Sequence, residues 1–157
     1  MDKLLTKTVN SPKMLIGKLK RGGFAMKKAV NGIEFERFED DYLYRECVDQ
    51  LNISEVTKKE RDFKLALRIS EEIRCKNLRK EALKLIADSL VRVGEISWAI
   101  ETAKRTDSSK KSLIFAHICR KTGDVSYFKK AEMEAQKISS PRLKEFVSRE
   151  ILNIIAN

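Results

Sequence analysis

Apolar residues recur three or four positions apart along the chain from Glu34 onwards, which is the spacing of one helix face. No stretch alternates apolar and polar residues as a half-buried strand does. Turn residues and helix-capping residues divide this part of the chain into short segments. We therefore predict an all-α fold with helices at about residues 34–50, 57–74, 78–92, 97–106, 109–121, 125–138 and 141–155.

The predicted helix ends rest on local capping signals. Thr57-Lys58-Lys59-Glu60 has the spacing of a capping box, which predicts that the second helix begins at Thr57. Gly94 and Gly123 are predicted to end helices in the left-handed conformation that glycine adopts readily. Further N-caps are predicted at Asn77, at Asp107 or Ser108, and at Ser140, which Pro141 follows in the first turn.

A short block of sequence occurs twice. Val93-Gly94-Glu95-Ile96-Ser97 recurs as Thr122-Gly123-Asp124-Val125-Ser126, 29 residues later. A fixed period of about 20–50 residues is typical of stacked helical repeats. The short connections make neighbouring helices antiparallel. Alanines at the predicted contact positions allow close helix approach, and they are Ala66, Ala87, Ala99, Ala116 and Ala131.

The repeat resembles the tetratricopeptide family in a divergent and shortened form, over about residues 62–155. The first unit places Leu83, Ile86, Ala87 and Leu90 in its first helix, followed by Gly94-Glu95 and Ala99. The second places Ser112, Phe115, Ala116 and Cys119, followed by Gly123-Asp124. It departs from the family at Phe128, where alanine is usual. The resemblance implies a short right-handed solenoid of stacked hairpins, whose concave groove holds a peptide or partner protein.

The resemblance also implies that the third, fifth and seventh helices line this groove. The positions carried over are Lys84, Asp88, Arg92, Lys110, Leu113, His117, Arg120, Lys121, Arg142, Glu145 and Arg149. Most are cationic, so we expect them to bind the carboxylates of an acidic peptide segment. The set also fits an ordinary solvated face in a chain with 36% charged residues, and that interpretation stays open.

The net charge of +10 is unevenly distributed. Residues 1–30 carry +7, residues 31–60 carry −5, and residues 61–157 carry +8. We predict a basic, flexible segment at 1–32 and a helical repeat domain at 33–157. Nucleic-acid binding is the alternative function, with phosphate contacts from the groove and from an N-terminal cluster, Lys18, Lys20, Arg21, Lys27 and Lys28.

The start of the native protein is a separate question. Arg21-Gly22-Gly23 stands shortly before Met26, and codons for this tripeptide can spell a purine-rich ribosome-binding site. We therefore hypothesise that the native protein starts at Met26.

The chemistry-bearing residues indicate no catalytic site, cofactor or metal. The chain has three widely spaced cysteines and one histidine, which disfavours a zinc site or a disulfide framework. We predict reduced, mostly buried thiols in a cytoplasmic protein, and no run of apolar residues is long enough to span a membrane. A homodimer through the first or last helix stays open.

Three smaller sets of residues have two interpretations each. We interpret His117 as partly buried with a hydrogen-bonded ring, with groove contact as the alternative. Trp98 and Tyr127 occupy equivalent places in the two units, which favours packing between hairpins over an exposed binding pair. Asp40 and Asp41 are assigned to the solvated face of the first helix or to a surface facing the basic segment, and not to a metal site.

Overall fold

A computed structural model describes residues 32–157, with side chains from residue 36 onwards, and this part of the chain is all-α. The predicted basic segment, and the hypothesis of a start at Met26, fall on residues outside this range. The described residues contain no strand. The helices are α1 (Gly32–Thr57), α2 (Glu60–Glu72), α3 (Lys76–Val93), α4 (Ile96–Ala103), α5 (Ser108–Thr122), α6 (Ser126–Gln136) and α7 (Pro141–Ala156).

Consecutive helices from α2 to α7 contact each other, and so do two alternate pairs. Helix α3 contacts α4, α5 contacts α6, and the row α3, α5, α7 is continuous because each contacts the next. Helices α1 and α2 are antiparallel. The Cys47 thiol donates to the Ala66 carbonyl at 3.6 Å, and Gln50 Nε2 donates to the Asp62 carbonyl at 3.4 Å.

The core holds both large apolar side chains and small ones. Phe63, Ile86, Leu90 and Ile114 are at most 1% exposed. The alanines predicted at the helix contacts are all fully buried, at 0% exposure: Ala66, Ala87, Ala99, Ala116 and Ala131. Because these side chains end at Cβ, neighbouring helices can approach closely at each of them.

The glycine helix ends are confirmed. Gly94 has φ 95° and Gly123 has φ 72°, which lie in the left-handed region. At the end of α3 the Glu95 N–H reaches the Leu90 carbonyl at 2.9 Å, so the last turn is closed by a backbone hydrogen bond. Two side-chain caps are also confirmed, since Asp107 accepts from the Lys110 N–H and Ser140 from the Leu143 N–H.

The predicted capping box at Thr57 is wrong. Helix α1 continues through Thr57, and α2 begins at Glu60 with Lys59 as its N-cap residue. Lys58 has φ 53°, so the chain turns there and not at residue 50. The Thr57 hydroxyl donates to Asp62 Oδ2 at 2.6 Å and accepts from the Lys59 N–H at 3.3 Å, whereas a capping box would need the Glu60 N–H.

The predictions for Asn77 and Asp40 are also wrong. The N-cap residue of α3 is Cys75, not Asn77. Asp40 is only 5% exposed, and its carboxylate accepts from the Arg74 N–H at 2.7 Å and the Cys75 N–H at 2.8 Å. A side chain of α1 thus satisfies the backbone just before α3, and only Asp41 is exposed as predicted.

We expect Gly94→Ala to lower the free energy of unfolding by about 1 kcal/mol, because an L-residue is strained at positive φ. A Cβ at Gly94 would meet no atom within 4 Å. The loss of stability would therefore come from the backbone conformation and not from a steric clash. Gly94→Asn is the control, because asparagine tolerates this conformation better. Urea unfolding measures both, and equal stability of all three proteins would contradict the assigned helix end.

We expect Asp40→Ala to cost about 2–4 kcal/mol, because two backbone N–H groups lose a charged acceptor. The neighbouring Asp41→Ala removes an exposed carboxylate and should change stability by less than about 0.5 kcal/mol. Urea unfolding of the two variants is the measurement. A similar small effect from both would mean that Asp40 does not hold α1 to the start of α3.

Candidate functional site

The two repeat units contact each other in register through α3 and α5. Lys110 Nζ lies 2.9 Å from Glu81 Oε1, and Lys121 Nζ donates to the Arg92 carbonyl at 3.1 Å. In each pair the two residues are 29 positions apart in the sequence, which is the period of the repeated block. Equivalent positions of the two units therefore lie side by side, and the predicted groove residues of α3 and α5 share one surface.

The centre of this surface is an acidic side chain among cations. Lys84 Nζ donates to Asp88 Oδ2 at 2.6 Å. Asp88 is 8% exposed, and its Oδ1 is buried without a hydrogen-bond partner in the described part of the chain. An unsatisfied buried carboxylate oxygen is costly, which makes this the least satisfied polar position of the predicted groove.

His117 is half-buried on α5 and interacts electrostatically with Asp88, the equivalent position on α3. Burial lowers its pKa, Asp88 opposes the lowering, and the cations Lys84, Arg120 and Arg92 add to it. The net effect is a pKa below the ordinary value, so the ring is neutral at pH 7. Partial burial is confirmed, and the hydrogen bond to the ring stays a prediction, since no described residue makes one.

Several predicted groove cations already have acidic partners. Arg92 pairs with Glu55 of α1, which also accepts from the Ser89 hydroxyl. Burial alone would raise the pKa of Glu55, but the hydrogen bonds from Arg92 and Ser89 outweigh it and lower that pKa. Lys110 pairs with Glu81, and its Nζ also lies 3.6 Å from Asp107 Oδ2.

Three acidic partners of the groove cations were not predicted from the sequence: Glu55, Glu81 and Asp107. Glu55 was missed because the first helix was predicted to end before it. Glu81 and Asp107 had a usable signal, since Glu81 stands one repeat period before Lys110 and Asp107 three residues before it.

The remaining predicted residues are more exposed. Arg120 Nη2 donates to the Asn157 carbonyl at 3.2 Å, which joins α5 to the end of α7. Arg149 and Glu145 form an exposed pair at 3.6 Å, and such pairs contribute little to stability. Arg142 is exposed, and Leu113 is half-buried against the core. The alternative N-terminal cluster, Lys18, Lys20, Arg21, Lys27 and Lys28, lies outside the described residues.

Trp98 and Tyr127 are packing residues, and Trp98 contacts a neighbouring hairpin as predicted, whereas the ring contact of Tyr127 lies within its own hairpin. The Trp98 ring meets Phe63 edge-on at a centroid distance of 6.0 Å, and the Tyr127 ring lies 6.2 Å from Phe115. Both are half-buried against the core. They do not form an exposed aromatic pair.

Residues 32–157 contain no cluster of three or more histidine, cysteine or acidic side chains that could hold a metal ion. Within the same range, no helix has the length and apolar character needed to cross a membrane. Comparison with protein-family models, with curated proteins and with solved structures found no match to this chain.

The three cysteines are free, with Cys47 and Cys119 buried and Cys75 exposed. Burial, with a contribution from Glu46, raises the pKa of the Cys47 thiol to about 12, so almost no thiolate is present at pH 8. We expect one fast-reacting thiol in the native protein and three after unfolding, measured with an aromatic disulfide reagent. Cys75→Ser should remove the fast phase, and a fast phase that remains would contradict the assigned burial.

Proposed function

We propose that this chain is a non-enzymatic, cytoplasmic protein–protein interaction module. In this proposal the helical hairpins stack as a short right-handed, tetratricopeptide-like solenoid, and the surface of α3, α5 and α7 is a concave groove for an acidic partner segment. The observation that carries the proposal is the in-register contact of α3 with α5 at the 29-residue repeat period. Contacts at the repeat period are what stacking of equivalent units produces.

The ion pairs within the chain suggest which cations would bind the partner. Lys84, Arg92 and Lys110 have acidic partners in the chain. Arg120 and Lys121 donate only to main-chain oxygen atoms, and to no acidic side chain, among the described residues. We therefore assign the partner's carboxylates to Arg120 and Lys121, at the end of α5.

These two positions also have a purely structural explanation. Arg120 and Lys121 lie in the last turn of α5, where a cation interacts favourably with the helix dipole. The structural role predicts a loss of stability on substitution, and the binding role predicts a loss of affinity. Measuring the stability and the affinity of the same variant separates the two roles.

The test is the affinity of the full chain for a fluorescent, Glu- and Asp-rich synthetic peptide at low and at physiological salt. We expect Arg120→Glu to weaken binding about tenfold, because a charge-assisted hydrogen bond becomes a repulsion. The matched control is Lys129→Glu, the same charge change at an exposed position of α6, which should stay within about twofold. Circular dichroism confirms that both variants are folded.

Two outcomes would overturn the proposal. Equal weakening by Arg120→Glu and Lys129→Glu would show that only net charge matters. Tight binding of a generic oligonucleotide with a steep salt dependence, and no binding of the acidic peptide, would favour the nucleic-acid alternative. Neutralising Lys18, Lys20, Arg21, Lys27 and Lys28 would then measure the part played by the N-terminal cluster.

A further inference from the structure

The side of α1 opposite the core carries large apolar side chains in solvent. Leu43, Cys47 and Leu51 are buried on one side of the helix. At about 3.6 residues per turn, a second stripe lies on the other side. This stripe, called here the outer face of α1, consists of Phe38 (66% exposed), Tyr42 (37%), Ile53 (51%) and Val56 (84%). The apolar residues form two pairs, Phe38 with Tyr42 and Ile53 with Val56, and by helical position the exposed Arg45 and Asp49 lie between the pairs. Exposed apolar side chains aligned on one side of a charged helix are typical of an interaction surface.

The charge of α1 is opposite in sign to that of the whole protein. Helix α1 contains eight acidic residues and two arginines, whereas the chain has a net charge of +10. Asp41 and Asp49 are exposed, and by helical position both lie on or beside the outer face. A partner that covers this face would therefore bury apolar area and meet a negative potential.

A poorly satisfied carboxylate adds to this electrostatic character. Glu46 Oε2 is buried and has no hydrogen-bond partner in the described part of the chain. Burial raises the pKa of Glu46, and the neighbouring carboxylates of Glu72 and Asp49 raise it further. The charged form of Glu46 would be stabilised by a cation brought to this side of α1.

We propose that the outer face of α1 binds a basic amphipathic helix of a partner protein. The apolar stripe of that helix packs on Phe38, Tyr42 and Ile53, and its Lys or Arg side chains reach Asp49 and Glu46. The stripe from Phe38 to Val56 spans about 27 Å at about 1.5 Å per residue, enough for five turns of a partner helix. A helix fits because the outer face is one straight side of α1, along which a second helix can pack.

This site is distinct from the groove of α3, α5 and α7. The groove is predominantly cationic and would select acidic segments, whereas the outer face of α1 would select basic ones. The proposal therefore does not depend on the groove function. We expect Arg120→Glu to leave binding at the outer face of α1 unchanged.

The probe is a fluorescent 18-residue synthetic peptide of leucine and lysine, with leucine on one helix face. We expect it to bind the full chain and to become more helical on binding. Ile53→Ser and Asp49→Lys should each weaken binding about tenfold, through lost apolar contact and reversed charge. The matched controls on α6 are Met133→Ser, at a side chain that is 58% exposed, and Glu132→Lys, and both should stay within about twofold.

Three results would overturn the proposal. A scrambled peptide of the same composition that binds equally well would show attraction by charge alone. Equal weakening by the α6 controls would place the peptide elsewhere. A chain that dimerises in sedimentation experiments, and becomes monomeric with Ile53→Ser, would assign the outer face of α1 to a second copy of this chain.

Discussion

Close packing of helices at buried alanines is the constraint on which the rest of the structure depends. The five predicted contact alanines are all inaccessible to solvent, and Ala87 and Ala116 occupy equivalent places one period apart. A larger side chain there would force the helices apart at a cost of about 1–3 kcal/mol. Close approach in turn brings α3 and α5 into register, so that Glu81 meets Lys110 and the Arg92 carbonyl meets Lys121.

The parts of the fold that were predictable from sequence are those set by neighbouring residues. Gly94 and Gly123 end their helices as predicted, because a left-handed glycine is a local requirement. The wrong helix ends and N-caps lie between residues 50 and 77, where distant contacts decide. The backbone before α3 is satisfied by Asp40, 34 and 35 residues earlier, and no local pattern in the sequence indicates that partner.

The candidate site shows the same division between local and distant information. The positions on α3 and α5 follow from the repeat, and the structure places them on one surface. The neutralisation of Arg92 does not follow from the repeat, because Glu55 is 37 residues from Arg92 in a segment outside the repeated units. Sequence therefore located the surface on α3 and α5 but overestimated its available positive charge.

The separation of charge between helices gives the strongest argument for two binding surfaces. Helix α3 has five cationic and two acidic residues, α5 has four cationic and no acidic ones, and α1 is strongly acidic. The Glu55–Arg92 ion pair joins the acidic helix α1 to the cationic helix α3, at the C-terminal ends of both helices. Other ion pairs join opposite charges within and between helices, such as Lys84 with Asp88 and Lys110 with Glu81, but the net charge of α1 remains opposite in sign to that of α3 and α5. Each face therefore keeps its own potential, and a partner attracted to one is repelled by the other.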